Sequence, residues 1–220
     1  MPNTKRIAIV GSPNSGKSLL FNRITGLHHK AANFPGATVD INAGIVTSQP
    51  DIEVLDFPGV YSLHTISAEE QLAVDTFFKG LSEESLDAVI CLLDSTRLEK
   101  GLIFALQIIE ACKQYNKPVV VAANMADILQ QNDLSMDAEG LSTQLGVPVM
   151  PISARTGMGV DELIKASKKA AHADTEPVAA STENNAEQVI ARDEPGERNY
   201  SHRLASIYGP KGDILLDAQT

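Results

Sequence analysis

The chain has 220 residues, enough for one full-sized domain with its own core and a short appendage. Hydrophobic residues at 43% and charged residues at 21% exclude fibrous and wholly disordered classes. A formal net charge of −10 and a pI near 4.9 give a surface that repels phosphate backbones and anionic headgroups, which argues against nucleic acid as a partner.

In chain order, Ile7 to Val10 is the first of three short Val- and Ile-rich runs ended by polar or glycine residues, and it predicts a buried strand. A helix is predicted over Lys17 to Thr25. Val39 to Thr47 and Glu53 to Leu55 form two strands around a turn at Ser48 to Asp51 that contains Pro50, which makes one strand antiparallel. Ala88 to Leu93 and Val119 to Ala123 are the other buried runs, with a helix over Leu98 to Gln114 between them. Met136 to Leu145 predicts a helix, Val147 to Ile152 a strand, and Val160 to Ala171 a closing helix. The expected fold is α/β, with a mostly parallel central sheet, one antiparallel strand and helices on both faces.

That domain is expected to span residues 1–171. Residues 172–199 are rich in Ala, Glu, Asn, Thr, Asp and Pro and predict a flexible linker. Residues 200–220 form a short C-terminal segment in which Tyr200 to Leu216 has the apolar content of a short docking helix, too little for a helical bundle. Cys91 and Cys112 have no metal-ligand or redox spacing and fit core positions. Met1 to Arg6 precede no apolar leader, and nowhere do about 18 apolar residues run together, so a cytosolic chain without a membrane span is expected.

Gly11-Ser12-Pro13-Asn14-Ser15-Gly16-Lys17-Ser18 satisfies the phosphate-loop pattern G-x-x-x-x-G-K-[ST] between a predicted strand and a predicted helix. Consecutive backbone N–H groups and the positive helix end converge there on the α- and β-phosphates of a nucleotide. Lys17 reaches the β- and γ-phosphates, and the Ser18 hydroxyl is a Mg²⁺ ligand. The competing reading is a plain glycine-rich turn, which the strand–loop–helix context disfavours.

Asn124-Met125-Ala126-Asp127 follows a buried run and selects the base. The Asp127 carboxylate can accept from N1–H and the exocyclic amine of guanine, and adenine offers no such pair of donors. Met125 stands where the N-K-x-D pattern has Lys, and its thioether stem can lie on the base. Ser153-Ala154-Arg155 adds a backbone N–H for guanine O6. Asp56-Phe57-Pro58-Gly59 matches D-x-x-G, with Asp56 on Mg²⁺ through water and the Gly59 N–H at the γ-phosphate. Thr38 supplies a hydroxyl that closes over Mg²⁺.

Val60 occupies the position where Ras-like enzymes carry a water-orienting Gln, so hydrolysis needs another source of stabilisation. Asn14 can hold a monovalent cation near the β- and γ-phosphates, and a loop-capping role is its alternative. His28 and His29 read as exposed loop residues rather than metal ligands.

Together these motifs resemble the cytosolic G domain of the ferrous iron transport protein B family over about residues 5 to 170. The resemblance rests on the loop from Gly11 through Leu19 to Asn22, on Asn33-Phe34-Pro35-Gly36-Ala37-Thr38-Val39, on Asp56-Phe57-Pro58-Gly59-Val60-Tyr61-Ser62-Leu63, and on Asn124 to Asp127. It implies a P-loop GTPase that binds GTP and GDP with Mg²⁺, with slow hydrolysis that K⁺ accelerates through Asn14. It implies a catalytic contribution from Glu69 and Glu70 as well. It also implies a following membrane-embedded iron transport domain and a place at the cytoplasmic face of the bacterial inner membrane; homo-oligomers are compatible with it. A ribosome or tRNA assembly GTPase, whose relatives share an aliphatic residue at the Val60 position, is the alternative, and the acidic pI weighs against it.

Overall fold

The computed structural model describes residues 4–32, 41–64, 67–173 and 216–218. In chain order it contains β1 (Lys5–Gly11), α1 (Lys17–Thr25), β2 (His29–Ala32), β3 (Ile41–Val46), β4 (Gln49–Asp56), α2 (Ala68–Ser82) and β5 (Ala88–Asp94). A 3-10 turn (Ser95–Arg97) leads into α3 (Leu98–Gln114), followed by β6 (Val119–Asn124), α4 (Ala126–Gln131), β7 (Leu134–Met136), α5 (Ala138–Leu145), β8 (Val149–Pro151), α6 (Val160–His172) and β9 (Leu216–Ala218).

Seven strands form one sheet in the order β2-β3-β4-β1-β5-β6-β8. β3 pairs antiparallel with both β2 and β4, whereas the pairings from β4 through β1, β5 and β6 to β8 are parallel. A single strand therefore runs against the rest, as expected. Strand side chains alternate between faces, so each central strand feeds two cores. Ile7 and Ile9 of β1 join Ile90 and Leu92 of β5 beneath Leu20, Phe21 and Ile24 of α1 and Leu163 and Ile164 of α6. Ala8 and Val10, with Val89, Cys91 and Leu93, face Phe77 and Leu81 of α2 and Leu102, Phe104 and Ala105 of α3. Both cysteines are buried, and burial pushes the Cys91 thiol up to about 12.

The structure departs from the sequence-based expectation at several points. The hairpin turn is tighter than Ser48 to Asp51, because β3 ends at Val46 and β4 begins at Gln49, so Pro50 lies inside β4. Met136 belongs to β7, and α5 starts two residues later, where the Asp137 carboxylate accepts from the Gly140 N–H at 2.8 Å. The helices α2 and α4 and the strand β2 were not expected. The predicted strand start at Val39 and the linker region 174–199 lie outside the described residues, as does nearly all of the helix expected in the C-terminal segment. At the far end of that helix Leu216 begins β9, which pairs antiparallel with β7.

Candidate nucleotide site

All the motif residues that are described lie at or just beyond the C-terminal ends of parallel strands, on both sides of β1. The chain order reverses at that point of the sheet, and open α/β folds place ligands there. β1 ends at Gly11 and α1 begins at Lys17, so residues 12–16 make the loop. The Ser15 N–H closes it onto the Ser12 carbonyl at 3.2 Å. Gly16 takes the left-handed region, φ 91°, and an added Cβ would run into the Asn124 amide nitrogen. Asn14 also has a positive φ, 66°, a conformation that Asn tolerates better than most residues, and its side chain is exposed. The buried Ser15 Oγ has no hydrogen-bond partner among the described residues, as befits a loop shaped around something other than its own side chains.

Asp56 ends β4 in register with Ile9 of β1, which sets its carboxylate beside the loop. It forms an ion pair with Lys17, and the two side chains are only 8% and 10% exposed. Ser18 follows in the exposed first turn of α1. A hydroxyl and one carboxylate are hard oxygen donors, and Mg²⁺ characteristically takes one or two protein ligands and completes its shell with phosphate and water. The donor set therefore fits that ion. Among the described residues there is no cluster of three or more His, Cys, Asp or Glu that would suit a cation held by protein alone. Gly59 packs against the loop, where an added Cβ would stand 3.2 Å from the Pro13 nitrogen. Val60 is buried and lines a small apolar cavity with Phe57, Phe77 and Phe104, so its side chain belongs to the core.

The base end of the site is tied together by Asn124, which is 3% exposed. Its Nδ2 donates to the Ser15 carbonyl at 2.8 Å, and its Oδ1 accepts the Ala154 N–H at 2.8 Å, so one side chain joins the phosphate loop to the 153–155 loop. Met125 adopts φ 68° and caps α4, which turns Asp127 back towards that loop. Ser153 is fully buried; its N–H donates to the Met158 carbonyl at 2.9 Å, and its Oγ accepts the Thr156 N–H at 3.0 Å. Arg23 of α1 reaches across to donate to the carbonyls of Ala154 at 2.6 Å and Arg155 at 2.5 Å. Arg155 itself donates from Nε and Nη2 to Asp127 Oδ2 at 3.0 and 2.5 Å. Burial raises the Asp127 pKa, but hydrogen bonds from Arg155 and Ser153 outweigh it and hold the carboxyl below its ordinary value.

Of the residues singled out in the sequence, Gly11 to Leu19, Asp56, Gly59, Asn124, Met125, Asp127 and Ser153 to Arg155 thus surround one edge of the sheet. Glu69 and Glu70 lie in the first turn of α2 behind the Ser67 cap, where negative charge complements the helix dipole. No hydrogen bond or ion pair among the described residues links them to the phosphate loop. Thr38 lies outside the described residues. Sequence reasoning missed Arg23 as a brace and the side chain of Arg155; neither belongs to a pattern, and only the fold brings α1 against the 153–155 loop.

The layered sheet with its phosphate loop, D-x-x-G and base-end residues defines a P-loop GTPase fold. The family model described as Ferrous iron transport protein B matches residues 5–167, and the chain belongs to that family. The Fe(2+) transporter FeoB of Salmonella typhimurium is 36% identical over 162 residues, which are 71% of this chain and 20% of that protein. The Fe(2+) transport protein A/Fe(2+) transporter FeoB fusion protein of Porphyromonas gingivalis is 39% identical over 160 residues, covering 72% and 18%. Among solved structures, an S. thermophilus NFeoB mutant bound to GDP is 37% identical with a TM-score of 0.66, covering 76% of this chain and 61% of the other. The cytosolic domain of T. maritima FeoB in apo form is 33% identical with a TM-score of 0.67, covering 79% and 66%. The chain spans about a fifth of the length of the curated relatives it matches. No helix among the described residues is long and apolar enough to cross a membrane.

Proposed function

We propose that this domain binds GTP and GDP and hydrolyses GTP with water to GDP and phosphate. In the full-length protein it would regulate or drive Fe²⁺ uptake by an attached membrane domain at the cytoplasmic face of the inner membrane. The observation that carries the reading is the convergence of the phosphate loop, Asp56 and the Asn124–Asp127 segment at one sheet edge, joined through Asn124. The catalytic domain on this reading is residues 1–171, with 172–199 as a linker and 200–220 as a short terminal segment.

The loop N–H groups of Ser12 and of Asn14 to Ser18, with the N-terminus of α1, hold the α- and β-phosphates, and Leu19 continues the same turn. Lys17 leaves Asp56 for the β- and γ-phosphate oxygens, a charge exchange between two partners of one sign. Ser18, Thr38 and Asp56 would hold Mg²⁺, whose charge offsets that developing on the transferred phosphoryl group. The Gly59 N–H would face the γ-phosphate, and its close seat on the loop makes even a Cβ a tight fit, 3.2 Å from the Pro13 nitrogen. Asp127 reads guanine, with Met125 against the ring. At the phosphate loop, Gly16→Ala should cost on the order of tenfold or more in GDP affinity, because its Cβ displaces Asn124 from its place behind the loop. Calorimetry measures this, and a variant with native affinity would show that the loop does not need that close approach.

With Val60 turned into the core, the water-orienting role falls to groups other than residue 60. On this reading the exposed Asn14 amide would hold K⁺, which would supply positive charge between the β- and γ-phosphates. Steady-state GTP hydrolysis is expected to be slow and several-fold faster in potassium than in sodium chloride, on the order of tenfold. In Asn14→Ala the potassium response should vanish while GDP binding survives. Equal rates in both salts for the native protein, or a response that persists in Asn14→Ala, would remove Asn14 from this role. Glu69→Ala and Glu70→Ala should act more weakly, since both residues already serve the start of α2.

A further inference from the structure

We infer that the Arg155 side chain is a built-in competitor for the guanine base, and that displacing it from Asp127 tunes nucleotide affinity and release. This rests on the reading of Asp127 as the guanine acceptor and adds to it a second, opposing occupant of the same carboxylate.

A carboxylate oxygen has two lone-pair directions. Both Nε and Nη2 of Arg155 donate to the same atom, Oδ2 of Asp127. Guanine brings two further donors, N1–H and the exocyclic amine, which need one oxygen each. Oδ2 cannot accept three donors in good geometry, so the base and the guanidinium exclude one another there.

The surroundings indicate which of the two gives way. The Asp127 side chain is 10% exposed, whereas that of Arg155 is 62% exposed, so the acid is fixed and the arginine is the partner with room to swing into water. Its backbone stays in place, because Arg23 holds the carbonyls of Ala154 and Arg155, and Asn124 holds the Ala154 N–H. The gate is thus a side-chain rotation on a braced loop. A part-buried ion pair whose arginine stands in water is weak enough to be displaced and strong enough to lower affinity. Adenine, lacking the two adjacent donors, gains nothing at Asp127 in return for opening the pair, so the arginine also works against the wrong base.

The test uses the full chain, isothermal titration with GDP, and stopped-flow release of a fluorescent GDP analogue. Arg155→Leu should tighten GDP binding by roughly three- to tenfold, mainly through slower release. Arg155→Lys keeps the charge but loses the two-pronged donor, and should fall between the native protein and the leucine variant. In an Asp127→Asn background probed with xanthosine diphosphate, where the ion pair no longer exists, adding Arg155→Leu should change affinity by no more than about twofold. Weaker GDP binding in Arg155→Leu would make the arginine a base ligand, and unchanged binding would make the pair idle; either overturns the inference while leaving Asp127 as the guanine acceptor. A native chain that does not bind GDP would overturn both.

Discussion

Asp127→Asn is expected to lower GDP affinity by about 1 to 3 kcal/mol, roughly five- to 150-fold, and to shift preference towards xanthine nucleotides. The amide replaces one acceptor with a donor, so a donor on the protein faces a donor on guanine. Xanthine presents an acceptor at that position and restores the pairing. The same substitution removes the partner of Arg155, and because that arginine is largely exposed the stability lost with the ion pair should be small. Acid dependence provides a separate check. The folded-state pKa of Asp127 lies below its ordinary value, so its stabilising contribution is complete above the unfolded carboxylate pKa of about 3.9 and is lost as pH falls through the lower folded value. The asparagine variant should lack that component. Calorimetry with GDP and xanthosine diphosphate measures the main effect, and native-like GDP affinity in the variant would contradict the assignment.

Asn124→Ala should be the more damaging change, because it strikes folding and binding together. It leaves the Ser15 carbonyl and the Ala154 N–H without their partner in a buried place, each costing about 1–3 kcal/mol. A total loss of about 2–6 kcal/mol corresponds, for a domain of this size, to a melting temperature lower by roughly 4–24 °C. GDP affinity should fall at least as far as in Asp127→Asn, because the phosphate loop and the 153–155 loop lose the side chain that sets their spacing. Thermal melts with and without GDP read both effects. An unchanged melting temperature would show that the bridge carries no load.

The central architecture was legible because its signals are local. β1, β5 and β6 announce themselves as Val- and Ile-rich runs, and α1, between the phosphate loop and Gly26, and α3 were predicted to the residue. What escaped was held by subtler chemistry. α2 carries Ser67-Ala68-Glu69-Glu70, the S-x-x-E start of a capped helix, followed by apolar residues at Ala73, Val74, Phe77, Phe78 and Leu81, and the Ser67 hydroxyl does accept the Glu70 N–H at 3.2 Å. Glu69 and Glu70 are acids that any surface could carry, and it is the Ser67 cap that makes them a helix start. α4 is only six residues long and begins inside the base-reading motif, so no periodicity could reveal it. β2 has an ordinary sequence, and its pairing with β3 defines it.

The site divides in the same way. The phosphate loop is contiguous and its geometry follows from its sequence, so every residue from Gly11 to Ser18 could be placed in advance. The roles of Asn124, Arg23 and Arg155 depend on contacts more than 100 residues apart or on which way a long side chain turns, and single-sequence patterns carry neither. Val60 shows the limit from the other side: the sequence establishes that it cannot orient water, and only the fold reveals that it faces Phe57 and Phe104 instead.

Base choice is the property that Asp127 and its surroundings most directly determine. Titration of the chain with GDP and with ADP, each with Mg²⁺, should show one GDP site and ADP binding weaker by a factor on the order of 100 or more, since a site built to accept two donors rejects a base that lacks them. ADP binding as tight as GDP, or no binding of either, would contradict it.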